Sequence, residues 1–216
     1  AHIRGIALGF PGPFDYAGGV SRIRGVGKYE SLYGMDIAHE LNSRIVAMPI
    51  LFRNDAEAAI VGEARHGAGR PYRRIIGLTL GTGCGSAFIA DGKPVASGAG
   101  VPENGWLYKE RFRGRKADDV FSIRGLAGRL ERAGVSAADI REAAGLAREG
   151  DRAAASAFRA FGTDLAQFLG PYARKFGAEA VLLIGGISNA SDLFISELDA
   201  LGIPVHASEL DGAAPL

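Results

Sequence analysis

Residues 78–86 constrain the fold more than any other part of this 216-residue chain. They spell Leu-Thr-Leu-Gly-Thr-Gly-Cys-Gly-Ser, an apolar strand that breaks into a glycine-spaced turn and leaves as a second apolar strand. Because Gly81, Gly83 and Gly85 lack Cβ atoms, the backbone there can take positive φ and turn its N–H groups toward an anion, and the Thr82 hydroxyl adds a donor. The pattern predicts a phosphate-binding turn, with an ordinary β-hairpin as the alternative.

Composition limits the class of protein and its partners. Hydrophobic residues make up 47% of the chain and charged residues 23%, which is typical of a globular protein. A net charge of +1 gives no global field for nucleic acid or an anionic membrane, so small molecules or proteins are the expected partners. The single cysteine, Cys84, excludes an intrachain disulfide and a cysteine zinc cluster. With no apolar run of bilayer length and no signal-peptide layout, we expect a cytoplasmic protein.

The first half of the chain is predicted to be mainly strands. The apolar runs indicate strands at 3–10, 45–52, 75–80, 86–90 and 93–96, a short helix at 36–42 and a small-residue helix at 56–66. Asp91-Gly92 suits a type I′ turn, so residues 75–96 should form an antiparallel meander.

The second half is predicted to be mainly helical. Helices are expected at 120–133, 137–148 and 151–175, with Ser136 as the N-cap of the second, Asp151 at the start of the third and Gly177 as its stop. A strand at 180–184, the turn Gly185-Gly186, a helix at 189–201 and a strand at 204–207 form a βαβ unit. The fold class is therefore α/β with mixed sheets. The loop near residue 98 divides the chain into regions 1–97 and 98–216.

Asn54-Asp55 stands where a predicted strand meets a helix. Side chains at such a point are exposed on rigid support, and the Asp55 carboxylate could orient a hydroxyl group for attack. The alternative interpretation is that Asp55 only caps the helix.

Five motifs in order resemble the ROK family of bacterial sugar kinases over nearly the whole chain. They are Gly9-Phe10-Pro11-Gly12-Pro13-Phe14-Asp15, Asn54-Asp55-Ala56-Glu57-Ala58-Ala59, Leu80-Gly81-Thr82-Gly83-Cys84-Gly85, Glu103-Asn104-Gly105 and Ile184-Gly185-Gly186. The resemblance implies an actin-like ATPase, or ribonuclease H-like, fold of two lobes, of which this chain forms part. It also implies ATP and Mg²⁺ as cofactors, a hexose as substrate and a homodimer.

The resemblance assigns roles to particular residues. Asp55 would be the catalytic base that accepts the sugar hydroxyl proton, and Asn54 and Gly12 would lie on the sugar side. The turn holding Gly81, Thr82, Gly83 and Gly85 would bind ATP phosphate, and Gly185 with Gly186 would bind adenosine. No residue is assigned to a metal. Phosphoryl transfer needs mainly this positioning and charge neutralisation.

The chain departs from the family pattern at its sugar loop. Glu103 is retained as a sugar ligand, but Trp106 stands where the family has histidine. Trp106 is expected either to stack on a sugar or to serve as a half-buried packing residue. The family's His and Cys zinc cluster is absent, so no zinc is expected. The charged run 109–116 is either a solvated loop or a contact for a substrate anion.

Asp118 and Asp119 occupy the place of a further sugar-binding glutamate in the family, ahead of a helix. Both are also suited to a helix start, so sugar binding and capping are left open.

The family's Asp-x-Gly-Gly-Thr hairpin has no counterpart here before Ile3. We therefore expect this chain to be inactive alone, either as a piece of a longer kinase or as a degenerate binding module. The main hypothesis is an ATP-dependent hexose kinase. A sugar-responsive transcriptional regulator is the alternative, since some relatives carry a DNA-binding segment.

Overall fold

The computed structural model describes residues 3–45 and 47–210 of the chain. The strands are Ile6–Phe10 (β1), Phe14–Asp15 (β2), Val20–Ser21 (β3), Ile50–Asn54 (β4), Arg74–Leu80 (β5), Cys84–Ala90 (β6), Lys93–Val95 (β7), Arg111–Phe112 (β8), Arg115–Lys116 (β9), Ala180–Ile184 (β10) and Val205–Ala207 (β11). The α-helices are Ile37–Arg44 (α1), Asp55–His66 (α2), Ala117–Phe121 (α3), Ile123–Arg132 (α4), Ile140–Arg148 (α5) and Arg152–Phe176 (α6). Short 3-10 helices span Gly27–Leu32, Glu103–Gly105, Leu107–Lys109, Ser188–Leu193 and Ile195–Leu201.

A five-stranded mixed sheet in the order β11-β10-β5-β6-β7 forms the centre of the fold. β10 is parallel to both β5 and β11, whereas β6 is antiparallel to β5 and β7. The meander is confirmed, and Asp91 and Gly92 both have the positive φ that a type I′ turn requires. The sheet combines β5, β6 and β7 of the predicted region 1–97 with β10 and β11 of the predicted region 98–216, so the two regions meet within it. The division of the chain into these two regions stays a prediction.

Both faces of the central sheet are covered by helices. On one face α2 packs Ile60 and Ala64 against Ile75. On the other, α6 packs Phe176 against Phe88 of β6, with ring centroids 5.1 Å apart, within a larger cluster that also includes residues of α3, α4 and α5. Alternate side chains of a strand point to opposite faces, so a sheet covered twice needs strands with long apolar runs, as in residues 75–78 of β5 and the whole of β10.

A two-stranded parallel sheet pairs β1 with β4 and brings Phe10 opposite Asn54. The strands begin later than the predicted 3–10 and 45–52. Residue 46, within the strand predicted at 45–52, lies outside the described residues. So do residues 1–2 of the predicted region 1–97 and residues 211–216 of the predicted region 98–216. β4 runs directly into α2, which also packs on the central sheet. The end of β4 is therefore fixed relative to both sheets.

The helix predicted at 120–133 is broken at Ser122. Ser122 has extended backbone (φ −99°, ψ 172°), and its Oγ accepts the N–H of Gly125 as the cap of α4. The Ile123 N–H donates to the carbonyl oxygen of Gly81, 2.7 Å away. The prediction was wrong because a backbone bond to the glycine turn replaces continued helix at this point.

The prediction for α6 is nearly correct, with Asp151 as the N-cap and Gly177 in the left-handed conformation at its end. The helices predicted at 137–148 and 189–201 need correction. α5 begins at Ile140, and its cap is Asp139, not Ser136: Asp139 Oδ1 accepts the N–H of Glu142 at 2.8 Å.

The helix predicted at 189–201 is replaced by two 3-10 helices separated at Phe194. Phe194 is fully buried, and its carbonyl oxygen would lie 2.5 Å from a Cβ at Gly162 of α6. This close packing on α6 accounts for the break in the segment. The segment still joins two parallel strands, as predicted.

Glu63 of α2 is a fully buried carboxylate. Its oxygens accept hydrogen bonds from the backbone N–H groups of Ala68 and Glu209, at 3.0 and 2.8 Å, and from the Ser208 hydroxyl at 2.8 Å. Burial alone raises the pKa of Glu63, but these hydrogen bonds outweigh it and the pKa is lowered. The ionised carboxylate therefore fastens the segment after β11 to α2.

We expect Glu63→Gln to lower the free energy of unfolding by about 2 kcal/mol at neutral pH, because an amide nitrogen would face backbone donors. A lowered pKa contributes stability above the unfolded value of about 4.3 and loses it as pH falls through the folded pKa. The difference between the two proteins should therefore shrink below about pH 4 in urea unfolding. Glu149→Gln, at an exposed position, is the control; equal losses in both variants would contradict the assignment.

Candidate active site

The glycine turn between β5 and β6 is closed by the Gly81 N–H, which donates to the carbonyl oxygen of Gly83 at 3.0 Å. The expectation of positive φ is wrong for Gly81, Gly83 and Gly85. Gly85 is required instead by close approach: a Cβ there would lie 2.5 Å from the Cβ of Ala56 and would also collide with Thr79 Oγ1. The turn therefore lies against the first turn of α2.

Asp55 is the first residue of α2 and is exposed. Its Oδ1 accepts only the adjacent N–H of Ala56, at 2.9 Å, among the hydrogen bonds of the described residues. The interpretation of Asp55 as the cap is wrong, because Asn54 is the N-cap and its Oδ1 accepts the Glu57 N–H at 3.1 Å. The Asp55 carboxylate consequently keeps acceptor capacity beside the glycine turn.

Tyr16 fixes the Asn54 side chain, a role that sequence reasoning missed. Asn54 Nδ2 donates to the Tyr16 hydroxyl at 3.0 Å, and that hydroxyl donates to the carbonyl oxygen of Phe10 at 3.0 Å. Gly12 lies beside this pair, since a Cβ there would stand 3.3 Å from the Tyr16 hydroxyl. Burial raises the pKa of Tyr16, and the Asn54 hydrogen bond opposes the rise without cancelling it. A lone tyrosine carries no motif that could have identified it.

Glu103 begins a short 3-10 helix whose end is bonded to β6. The buried Ser86 hydroxyl donates to the carbonyl oxygen of Gly105 at 2.7 Å and accepts the Leu107 N–H at 2.8 Å. Gly105 has a φ of +71°, and a Cβ there would lie 3.3 Å from the carbonyl oxygen of Val95, so glycine is needed there. The strand that leaves the glycine turn thus positions the Glu103 loop.

The side chains of the Glu103 loop form an exposed aromatic and charged cluster. Trp106 is half-buried, with its ring centroid 6.1 Å from that of Tyr108. Lys109 Nζ lies 5.2 Å from the Trp106 ring and 3.6 Å from a Glu103 carboxylate oxygen. Tyr108 is the smallest of the contributions that raise the pKa of Tyr16, after burial and the charges of Asp55 and Glu57.

Asp118 contacts the glycine turn directly. Its Oδ1 accepts the Cys84 N–H at 2.8 Å, and its Oδ2 lies 3.1 Å from Arg124 Nη2. Asp118 and Asp119 both lie in the first turn of α3, as the helix-start interpretation expects, but neither is its N-cap: that position is Lys116, and no side chain caps it. Asp119 lies 3.0 Å from the same nitrogen of Arg124.

Gly185 and Gly186 lie on the other side of the glycine turn. Gly185 has a φ of +99°, a Cβ there would be 2.8 Å from the carbonyl oxygen of Leu80, and Ile187 donates its N–H to that oxygen at 3.0 Å. Gly186 lines a cavity of about 970 Å³ between α4, α5 and Ser188–Leu193. The cavity is also lined by apolar and cationic side chains, among them Ile123, Arg124, Ala127, Leu130, Val135, Ile140, Arg141, Ala144 and Arg148.

The charged run 109–116 largely forms the small β8–β9 hairpin. Its Arg113 reaches Asp164 of α6 at 3.1 Å and is exposed. In the described parts of the chain, no cluster of three or more His, Cys, Asp or Glu side chains is arranged to hold a metal ion. Nor is any helix within residues 3–45 and 47–210 both long and apolar enough to span a membrane.

The chain belongs to the ROK family, whose model matches residues 1–205. A glucokinase from Thermotoga maritima is 27% identical over 220 residues, which cover 89% of this chain and 67% of that relative. This chain therefore spans about two-thirds of the relative's length.

Two solved structures of the family share the fold. One is a ROK family glucokinase from Streptomyces griseus in complex with glucose and AMPPNP, with a TM-score of 0.71 and 23% identity over 86% of this chain and 71% of that one. The other is a ROK family transcriptional regulator, a homologue of the E. coli MLC protein, with a TM-score of 0.77 and 15% identity over 97% and 60%. The predicted family and actin-like ATPase fold are confirmed.

We expect Gly85→Ala to lower the free energy of unfolding by about 1–3 kcal/mol, because its methyl group would force α2 away from the glycine turn. Gly81→Ala is the matched control: a Cβ there meets no atom within 4 Å, so the change should stay within about 0.5 kcal/mol. Urea unfolding measures both. Equal losses in the two variants would mean that the contact with Ala56 does not matter.

Proposed function

We propose that this chain is the larger part of an ATP-dependent sugar kinase that transfers the γ-phosphoryl group of ATP to a hexose hydroxyl. The observation that carries the proposal is the position of Asp55. Its carboxylate is exposed at the start of α2, and it does not cap the helix because Asn54 does. The next residue, Ala56, packs against Gly85 of the glycine turn, so Asp55 lies beside that turn. A carboxylate beside bound phosphate is placed to accept the proton of an attacking hydroxyl.

The sugar would lie between the Asn54 region and the Glu103 loop. Tyr16 fixes Asn54, which keeps a second N–H for a sugar hydroxyl, and Gly12 leaves space beside it. Glu103 would accept hydroxyl hydrogen bonds, and the Trp106 ring would pack against the apolar face of the sugar. Lys109 lies beside both residues, with its Nζ 3.6 Å from a Glu103 carboxylate oxygen and 5.2 Å from the Trp106 ring. This arrangement supports a neutral hexose as substrate.

The nucleotide would occupy the cavity beside Gly186. Its volume of about 970 Å³ is within the usual range for ligand pockets. Its apolar lining suits a purine base, and the adjoining turn from Gly81 to Gly85 would receive the phosphates with its N–H groups and the Thr82 hydroxyl. Mg²⁺ bound to ATP would neutralise phosphate charge. The chain's own contribution is to align the phosphate with Asp55 and the sugar.

A sugar-responsive regulator is the second hypothesis, since a ROK family transcriptional regulator has the same fold. Together, Asn54, Asp55 and Glu103 favour catalysis, because a regulator needs to bind sugar but has no need of a base. Both hypotheses place the protein in the cytoplasm, where a kinase meets sugar and ATP and a regulator meets sugar and DNA. We also expect a homodimer, as the family resemblance implies.

We expect Asp55→Asn to reduce kcat about 10²–10⁴-fold while leaving sugar affinity nearly unchanged, because it removes the base and keeps the shape. The measurement is ADP release with Mg-ATP and a panel of hexoses and N-acetylhexosamines, in the natural protein that carries this chain. Asp151→Asn is the matched control, because Asp151 also starts a helix and asparagine caps equally well.

Unchanged turnover in Asp55→Asn would remove Asp55 from the reaction. If the unaltered protein binds sugar but releases no ADP with any member of the panel, the kinase proposal fails and the regulator or a binding module replaces it.

Sugar binding should change the intrinsic fluorescence, because Trp106 is the only tryptophan of the chain. A hexose stacked on the half-buried indole would exclude water and shift its emission to shorter wavelength. Titration with sugar measures the shift and its midpoint. Tyr33→Phe, which alters an exposed aromatic residue outside the site, should give the same curve, whereas Glu103→Gln should move the midpoint to about tenfold higher sugar concentration. A midpoint unchanged by Glu103→Gln would place the sugar elsewhere.

A further inference from the structure

Arg124 at the start of α4 is a cation that belongs to both the glycine turn and the cavity. It lines the cavity together with Gly186. Its Nη2 is held by two carboxylates, Asp118 Oδ2 at 3.1 Å and Asp119 Oδ1 at 3.0 Å. Asp118 in turn accepts the Cys84 N–H of the turn. These hydrogen bonds therefore hold Arg124 between the glycine turn and the cavity, the two parts of the proposed nucleotide site.

The backbone around Arg124 is also bonded to the glycine turn. The neighbouring Ile123 N–H donates to the carbonyl oxygen of Gly81 at 2.7 Å, and Ser122 caps α4. The base of the Arg124 side chain is thus fixed relative to the turn before any ligand arrives. A side chain fixed at its base and held at its tip loses less conformational entropy on binding.

The Arg124 guanidinium still has N–H groups that a ligand could use. Both carboxylates use Nη2, and no hydrogen bond among the described residues involves Arg124 Nε or Nη1. The side chain is 62% exposed, so solvent and ligands can reach it. An arginine presents its N–H groups in a planar fork that matches two phosphate oxygens.

We propose that Arg124 binds the phosphate chain of the nucleotide and that Asp118 is its positioning residue, coupling the guanidinium to the N–H of Cys84 in the glycine turn. The proposal rests on the proposed function, which places a nucleotide in this cavity. It gives Asp118 a role on the nucleotide side instead of the predicted role as a sugar ligand. Each oxygen of its carboxylate is already engaged, one by the turn and one by Arg124.

The test compares the affinities of ADP and adenosine for this chain and its variants by isothermal titration calorimetry. Arg124→Ala should weaken ADP binding about tenfold or more and change adenosine binding less than twofold, because only ADP carries phosphates. Arg124→Lys should recover part of the loss, since it keeps the charge without the fork. Arg132→Ala, on the same helix but outside the cavity lining, is the matched control and should bind both ligands as the unaltered chain does.

The role of Asp118 is tested with Asp118→Asn, whose amide oxygen can still accept the Cys84 N–H but whose charge no longer holds Arg124. We expect a several-fold loss of ADP affinity, with the sugar titration of Trp106 fluorescence unchanged. Weaker sugar binding with unaltered ADP binding would overturn the positioning role and return Asp118 to the sugar site.

The outcomes separate this inference from the function on which it rests. If the unaltered chain binds neither ADP nor adenosine, the proposed nucleotide site fails, and the inference fails with it. If it binds both and Arg124→Ala weakens both equally, the residue is structural and only the inference is overturned. Unchanged ADP binding in Arg124→Ala overturns it as well.

Discussion

The arrangement of the site depends on the backbone bonds made by the turn that follows β5. The carbonyl oxygen of Leu80 accepts the Ile187 N–H, the next carbonyl accepts the Ile123 N–H, and the Cys84 N–H donates to Asp118. Two segments far apart in the sequence, residues 118–123 and the stretch around Ile187, are therefore bonded to residues 80–84. Backbone groups that leave a sheet at a turn need new partners, and here those partners bring the cavity lined by Gly186 beside the strand ends.

The strand that leaves this turn, β6, positions the proposed sugar side through packing and hydrogen bonds. Gly85 allows Ala56 to approach, which places Asp55 beside the turn. Ser86, one residue later, bonds to Gly105 and Leu107, the residues on either side of Trp106. Consecutive residues of β6 point to opposite faces, so one strand serves α2 on one face and the Glu103 loop on the other. The proposed phosphoryl transfer needs its donor and acceptor aligned, and β6 provides a common reference for both proposed sites.

Much of this architecture could be predicted from the sequence, because its signals are local. The apolar runs gave the central strands, Asp91-Gly92 gave the hairpin, and Gly177 gave the end of α6. What failed depends on distant partners: the break at Ser122 follows from a bond to Gly81, and Phe194 interrupts its segment by packing on α6. Tyr16 could not be found because its function consists of holding Asn54, 38 residues away.

Asp55 and Asp118 show why proximity to the glycine turn does not by itself define a role. Both residues lie near the start of a helix that packs against the glycine turn. Asn54 caps α2, however, and the Asp55 carboxylate is left exposed. The Asp118 carboxylate is divided between a backbone N–H and Arg124. A carboxylate that must accept a proton needs a free oxygen, whereas one that positions other groups must have both engaged. The hydrogen-bond partners of each aspartate therefore separate the proposed base from the proposed positioning residue.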